Sequence, residues 1–228
     1  MPAPRQHEAS ARRQRVGRSL GVERTRIILV RHGETAWNQE NRWQGSQGTR
    51  LSERGRRQCE QVAEALRGAG VSAIYSSPLE RAKESAQIIA ERLNLPVRYT
   101  EALRERDVGE WEGLTDEEVR QRFPEERAAH LAHPGTFAAP GGESREDVFA
   151  RAAEFIEQVA ADHPGQVVLV VAHAGPIKSA VSHALRAPVH AWPRMDVENA
   201  SITIIEGEPG SLRVIRVNDT SHLRPSAD

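Results

Sequence analysis

A single cysteine, Cys59, stands among 228 residues, which excludes an internal disulfide framework and a multi-cysteine metal centre. It falls with Val62, Ala63 and Leu66 at helical spacing, so it reads as a small buried hydrophobe. Lysine is nearly as scarce: Lys83 and Lys178 are the only two, and arginine carries the positive charge. The formal net charge is −1. No global field therefore draws the chain to nucleic acid or a membrane surface, and anion binding must come from a local cluster. No apolar run has the length of a membrane span, and no secretory apolar segment is present. A cytoplasmic protein is the expectation. A G-x-S-x-G elbow, a Walker A loop and a G-x-G-x-x-G fingerprint are also missing, which argues against the chemistries they carry.

What is present divides near residue 25. Residues 1–24 hold Arg5, Arg12, Arg13, Arg15, Arg18 and Arg24 with hardly any apolar side chains. Such a stretch suits polyanion binding or a transit peptide, but a disordered extension or a misplaced start codon is the simpler reading. One domain is expected over 25–224. Arg26–Val30 (RIILV) predicts a buried strand, 52–67 a helix opened by Ser52 and Glu53, and Val71–Tyr75 a second strand. Ser77-Pro78 predicts a helix with Ser at the N-cap and Pro at N1. Its apolar stripe is Leu79, Ala82, Ala86, Ile89 and Leu93. A short helix over 115–122 ends at Pro124, and irregular chain runs on to Pro140-Gly141-Gly142. Ser144 caps a long helix to about Ala161, buried through Val148, Ala152, Phe155 and Val159. Gln166–Val171 is the strongest strand signal. A helix over Pro176–Leu185 and strands at 201–206 and 212–217 follow. This alternation predicts an α/β fold with a largely parallel sheet.

In open α/β sheets, ligands bind beyond the carboxyl ends of the strands. Arg31-His32-Gly33 follows the first predicted strand, Ser76-Ser77 and a helix carrying Arg81 follow the second, and His173 follows the third. Three strands thus deliver His32, Arg81 and His173 to one rim, where two helix N-termini also attract anions. Two arginines, two histidines and free backbone donors suit a phosphoryl group, because the guanidinium fork matches phosphate oxygens. His7, His130, His133, His163, His183 and His190 read as structural. No metal is expected: His32 and His173 lack a nearby Asp, Glu or Cys at ligand spacing, and Arg31 would repel a cation.

Leu29-Val30-Arg31-His32-Gly33-Glu34-Thr35, with Trp37-Asn38 after it, resembles the signature of the histidine phosphatase superfamily. The resemblance continues through Gln44-Gly45, Leu51-Ser52-Glu53-Arg54-Gly55 and Tyr75-Ser76-Ser77-Pro78-Leu79-Glu80-Arg81-Ala82. Beyond those lie Leu103-Arg104-Glu105, Gly109-Glu110-Trp111-Glu112-Gly113, Pro140-Gly141-Gly142-Glu143-Ser144 and Val171-Ala172-His173-Ala174-Gly175, so it spans about 26–223. It implies the phosphoglycerate-mutase-like fold, a three-layer αβα sandwich with a mostly parallel central sheet. It also implies roles. His32 would be the phospho-accepting nucleophile. Arg31, Arg81 and His173 would bind the phosphoryl oxygens with help from Asn38, and Glu105 would protonate the leaving oxygen. Gln44, Gly45 and Ala174 fall at substrate-contacting positions. Glu110, Glu112 and Glu143 are rivals to Glu105, which its place between Leu103 and Gly109 favours.

Two departures stand out. Gly48 and Arg50 occupy positions where the family often has Asp and Pro, and Ala172 and Ala174 stand where Ser and Gly are common. Arg50 adds a cation near the expected pocket mouth that either selects substrates with a second anionic group or is simply solvated. Only 26 residues separate Gly113 from Pro140, whereas cofactor-dependent mutases carry a long insertion there. Asn218-Asp219-Thr220-Ser221-His222-Leu223 resembles small bacterial phosphatases of the group. The resemblance therefore implies a cofactor-free phosphomonoesterase acting on a small phosphorylated metabolite. Mutase-type transfer is the runner-up, and an inactive phospho-ligand-binding relative comes third. A homodimer is one option for its oligomeric state.

Overall fold

The apolar, β-branched run after Arg24 forms β1 (Thr25–Arg31) in the computed structural model, which describes residues 23–47 and 49–223. The arginine-rich segment up to residue 22, and with it the expected disordered tail, lies outside the described residues, as does Gly48. A one-turn helix, α1 (Ala36–Gln39), is closed at its start by reciprocal bonds between Thr35 and Asn38. Next come α2 (Glu53–Ala65), capped by Ser52, then β2 (Val71–Ser76), α3 (Glu80–Leu93) and a short strand, β3 (Val97–Tyr99). Two short helices, α4 (Asp116–Arg122) and α5 (Pro124–Ala132), precede the long α6 (Arg145–Asp162). After these come β4 (Val167–Ala172), α7 (Ala174–Ala184), and a hairpin of β5 (Ile202–Glu208) and β6 (Ser211–Asp219).

The six strands lie in the order β3-β2-β4-β1-β5-β6. The first four are parallel, and β5 and β6 run antiparallel to their neighbours. β1 and β4 hold the centre and are buried on both faces, which is why they read as unbroken apolar runs. Their side chains still part with the period of two. Ile28, Val30, Leu169 and Val171 pack with Val62 and Ile89 from α2 and α3. Ile27, Leu29, Val168 and Val170 pack with Ile156 and Ile177 from α6 and α7. Helices therefore cover both faces of the sheet, giving the three-layer α/β sandwich. Each such aliphatic side chain contributes roughly 1.5–3 kcal/mol, so these two cores dominate the stability of the sheet. A third cluster joins Val108, Trp111, Val119 and Ala139, with Trp43 and Phe137 packed against it.

The structure corrects several local expectations. α3 begins at Glu80 rather than at Pro78, and Leu79 rather than Ser77 stands at its N-cap. Ser77 N–H continues the strand pairing, to Val171 O at 3.0 Å, and its hydroxyl serves Leu79 N–H and His173 instead of capping the helix. The segment after residue 122 is not irregular throughout. Pro124 both ends α4 and takes N1 of α5, where a missing N–H costs nothing. β3 was not anticipated, because three residues at a sheet edge carry too little alternation to read. α7 starts at Ala174, ahead of Pro176. The proline's missing N–H falls among the first four donors of the helix, which lack intrahelical partners anyway. In α6, Ile156 is fully buried, whereas Phe155 is half-buried and meets the Tyr75 ring edge-on.

Candidate active site

The carboxyl ends of β1, β2 and β4 converge on one cavity of about 490 Å³, within the range of small-molecule sites. His32 leaves β1 with its N–H donating to Ala172 O at 2.9 Å. Its ring lies 5.1 Å from that of His173, centroid to centroid. His32, Arg81 and His173 are all buried. His32 Nδ1 lies 2.7 Å from Gly33 O. A carbonyl can only accept, so the ring proton sits on Nδ1 and Nε2 keeps its lone pair. Arg81 Nε donates to that Nε2 at 3.3 Å. Burial, then Arg81 and Arg31, hold the His32 pKa well below its usual value. The imidazole is neutral at physiological pH.

The cations around it are fixed by backbone oxygens. Arg81 donates through Nη2 to Gly45 O at 2.8 Å and through Nη1 to Gln47 O. Burial lowers its pKa to about 10, which leaves it charged. Arg31 donates from Nη1 to Val197 O at 2.7 Å, while its Nε has no partner among the described residues. His173 Nε2 lies 2.8 Å from Ser77 Oγ, and its buried Nδ1 is likewise unpartnered. When the Ser77 hydroxyl donates to Nε2, Nδ1–H is left as a donor for a ligand. Asn38 Oδ1 is taken up by Thr35 N–H, Thr35 Oγ1 and Asn199 Nδ2, so only its amide N–H groups remain for a ligand.

Glu105 reaches the cavity from the loop after residue 103. Its Oε1 accepts from Arg106 N–H at 2.9 Å and from Gly175 N–H, at the start of α7, at 3.2 Å. A Cβ at Gly175 would overlap Glu105 Oε1, so only glycine lets the carboxylate sit there. Arg151 of α6 clamps the loop from behind, donating to Ala102 O, Arg104 O and Glu105 O. The rivals lie elsewhere. Glu112 accepts from Ser46 N–H, Glu143 pairs with Arg151, and Glu110 is exposed. Of the four, only Glu105 lines the cavity, together with Arg31, His32, Asn38, Gln44, Gly45, Arg81 and Ala174.

Arg50 is not at the mouth. Its side chain is 75% exposed, lies 3.9 Å from Glu80, and does not line the cavity. Cations that the sequence had not singled out do line it: Arg42, Arg106, Arg145 and Lys178, beside Trp43 and Trp192. Arg106 is 6% exposed and stacks over the Trp43 ring. Burial, then Arg145, lowers its pKa to about 10. Arg145 stacks over Trp192 and donates from Nη2 toward His130 Nε2 at 3.3 Å. Among the described residues, no three His, Cys, Asp or Glu side chains are grouped to hold a metal ion.

The family model for the histidine phosphatase superfamily (branch 1) matches residues 27–220. The chain belongs to that superfamily. Phosphoserine phosphatase 1 of Hydrogenobacter thermophilus is 35% identical over 198 residues, covering 87% of this chain and 94% of that protein. Glucosyl-3-phosphoglycerate phosphatase of Mycobacterium tuberculosis is 38% identical over 197 residues, covering 82% and 88%. A solved structure of the mycobacterial glucosyl-3-phosphoglycerate phosphatase in complex with VO3 superposes with a TM-score of 0.77. It is 37% identical and covers 86% of this chain and 99% of that one.

In this member of the superfamily, the sequence missed groups that act through space rather than along a motif. Asn199 donates to His32 O and Asn38 Oδ1, tying the loop after β1 to the segment before β5. Nothing in its surroundings marks it. Arg145 carried one readable sign. A cation at N1 of a helix opposes the helix dipole, and such a local conflict points to a role other than holding the helix.

Proposed function

We propose that the protein hydrolyses small phosphomonoesters through a phosphohistidine on His32, without a metal ion. The observation that carries this reading is the fixed His32 tautomer, whose free Nε2 lone pair sits beside the buried Arg81 and Arg31. Arg31, Arg81, the unpartnered His173 Nδ1 and the Asn38 amide hold the phosphoryl oxygens. These preorganised donors meet the charge that builds on the equatorial oxygens. Nε2 attacks phosphorus and forms the N–P bond as the P–O ester bond breaks. Glu105 delivers a proton to the departing oxygen, a contribution of roughly 10²–10⁴-fold. As a carboxylate, Glu105 then takes a proton from water, whose oxygen attacks phosphorus while the N–P bond breaks. Phosphate leaves, and both residues return to their starting states. Splitting the transfer in this way replaces one difficult step with two easier ones.

The substrates named for the relatives, phosphoserine and glucosyl-3-phosphoglycerate, support a small phosphorylated metabolite as the substrate class. The test is a panel of phosphomonoesters with and without 2,3-bisphosphoglycerate, scored for free phosphate and for isomerised product, before and after prolonged EDTA treatment. Free phosphate without isomerisation, unchanged by EDTA, is expected. Bisphosphoglycerate-dependent isomerisation would make the protein a mutase. Phosphate binding without any turnover would make it a binding relative. Activity lost to EDTA and restored by Zn²⁺ or Mg²⁺ would refute the metal-free site.

A further inference from the structure

We propose that Arg106, Arg145 and Lys178 form a second anion-binding subsite in the same cavity, which takes a carboxylate or second phosphate carried by the leaving alcohol. The inference rests on the hydrolase reading, with the scissile phosphoryl group at His32. Arg31 and Arg81 donate to backbone carbonyls beside His32, whereas Arg106, Arg145 and Lys178 line the same cavity and none of their side chains donates to a carbonyl among the described residues. The side chain of Arg106 is buried and makes no ion pair or hydrogen bond among the described residues; its one polar contact is the Trp43 ring, 5.8 Å away. Arg145 has a buried Nη1 with no partner, a histidine nitrogen against Nη2, and the Trp192 ring under its guanidinium. Lys178, on α7, is half-buried and has no acidic partner within ion-pairing distance among the described residues.

Burying a charge is costly unless a counter-charge or hydrogen bonds compensate it. Asp196 acts on Lys178 from beyond ion-pairing distance, and the carboxylates that line or border the cavity are already committed. Asp116 lines the cavity but pairs with Arg127 at 2.9 Å and Arg120 at 3.4 Å. Glu143 pairs with Arg151 at 3.2 Å, and Glu105 accepts from the N–H groups of Arg106 and Gly175. Arg42 shows the contrast. It lines the cavity too, but Glu40 at 2.7 Å and Glu118 at 3.0 Å neutralise it. Indole rings hold Arg106 and Arg145 in place without cancelling their charge. Arg145 also stands at N1 of α6, where its charge opposes the helix dipole. Three cations that make no ion pair among the described residues, on the wall of one cavity, suit an anion brought by the substrate.

The test compares kcat/KM for 3-phosphoglycerate and glycerol 1-phosphate, which differ by a carboxylate against a hydroxymethyl group. Glycerate 2,3-bisphosphate and p-nitrophenyl phosphate are run beside them. The wild-type protein should prefer 3-phosphoglycerate over glycerol 1-phosphate by roughly 10- to 100-fold, the scale of charge-assisted hydrogen bonds. Arg106→Met and Arg145→Gln should each cut that ratio about tenfold. Lys178→Met, at a less buried position, carries the test if those variants fold poorly. Arg50→Ala should keep the wild-type ratio. Preference for the bisphosphate over 3-phosphoglycerate assigns the subsite to phosphate, and the reverse assigns it to carboxylate; both uphold it. Turnover of p-nitrophenyl phosphate with a wild-type ratio near one, or a ratio that the three variants leave unmoved, would overturn the subsite and spare the hydrolase. Phosphate release from none of the esters would overturn both.

Discussion

At the His32 end of the cavity, Arg31 and Arg81 donate to the carbonyls of Val197, Gly45 and Gln47, whereas Arg106 and Arg145 lie over indole rings. Carbonyl oxygens fix a guanidinium to within bond geometry and occupy part of its fork. That suits a group which must meet the same phosphoryl oxygens in every substrate. An aromatic face holds the plane of the guanidinium but leaves its N–H edges unspent. That suits a group which must tell one leaving alcohol from another. On the reading proposed above, one end serves chemistry common to all phosphomonoesters and the other selects among them.

Four predictions sharpen or break this contrast. The largest effect belongs to His32→Ala, which removes the proposed phosphoryl acceptor. Turnover should fall by roughly 10⁴-fold or more on every ester, whatever its leaving group. A loss confined to anionic leaving groups would erase the distinction between the two ends.

Glu105→Gln comes next. It keeps the shape of the side chain and removes the proton. kcat on alkyl phosphates should fall by roughly 10²–10⁴-fold, while p-nitrophenyl phosphate, whose leaving group needs no proton, keeps much of its rate. Equal losses on both would show that Glu105 is not the acid, and Glu110, Glu112 and Glu143 would be tested in turn.

Arg151→Lys follows. Arg151 never lines the cavity but holds the carbonyls of residues 102, 104 and 105. Loosening that loop should lower kcat on alkyl phosphates by on the order of tenfold, with the same leaving-group dependence as Glu105→Gln and little change in KM. A uniform loss across esters would mean that Arg151 only supports the fold.

The smallest effect is acid sensitivity. His32 and His173 have lowered pKa values, from burial first and then from nearby arginines. His130, behind the tryptophans, is lowered to about 4 for the same reasons, burial and then Arg106. In the unfolded chain these rings protonate below about pH 6.5. The unfolded state then binds protons that the folded state refuses, so stability is full above that pH and falls as pH drops toward the folded values. The thermal midpoint should be lower at about pH 5 than at about pH 7.5. An unchanged midpoint would contradict the buried neutral histidines.

The same contrast explains what could be read from the sequence. The phosphoryl end is built from short contiguous segments at strand ends: Arg31-His32-Gly33, Ser76 through Arg81, and His173 through Gly175. A strand that runs into its loop carries both its own apolar pattern and the chemistry that follows it. The layers of the fold were legible for a related reason, since doubly buried strands such as β1 and β4 read as unbroken apolar runs. The far end draws Trp43, Arg106, Arg145, Lys178 and Trp192 from five separate stretches with no shared spacing, and only the fold brings them together. Of the two readings left open for Arg50, the exposed side chain fits the solvated one, because nearness along the chain to Gln44-Gly45 does not place it on the cavity wall. α5 was hidden because a proline that ends one helix also starts the next.

The most direct test of the central claim is to trap the phosphoenzyme by rapid quench at alkaline pH and map the phosphoryl group by mass spectrometry and phosphorus NMR. Gly33 O holds the Nδ1 proton of His32. The account therefore predicts a base-stable, acid-labile phosphoryl group on Nε2 of His32. A phosphoryl group on Nδ1 of His32, on His173, or on a carboxylate would contradict it.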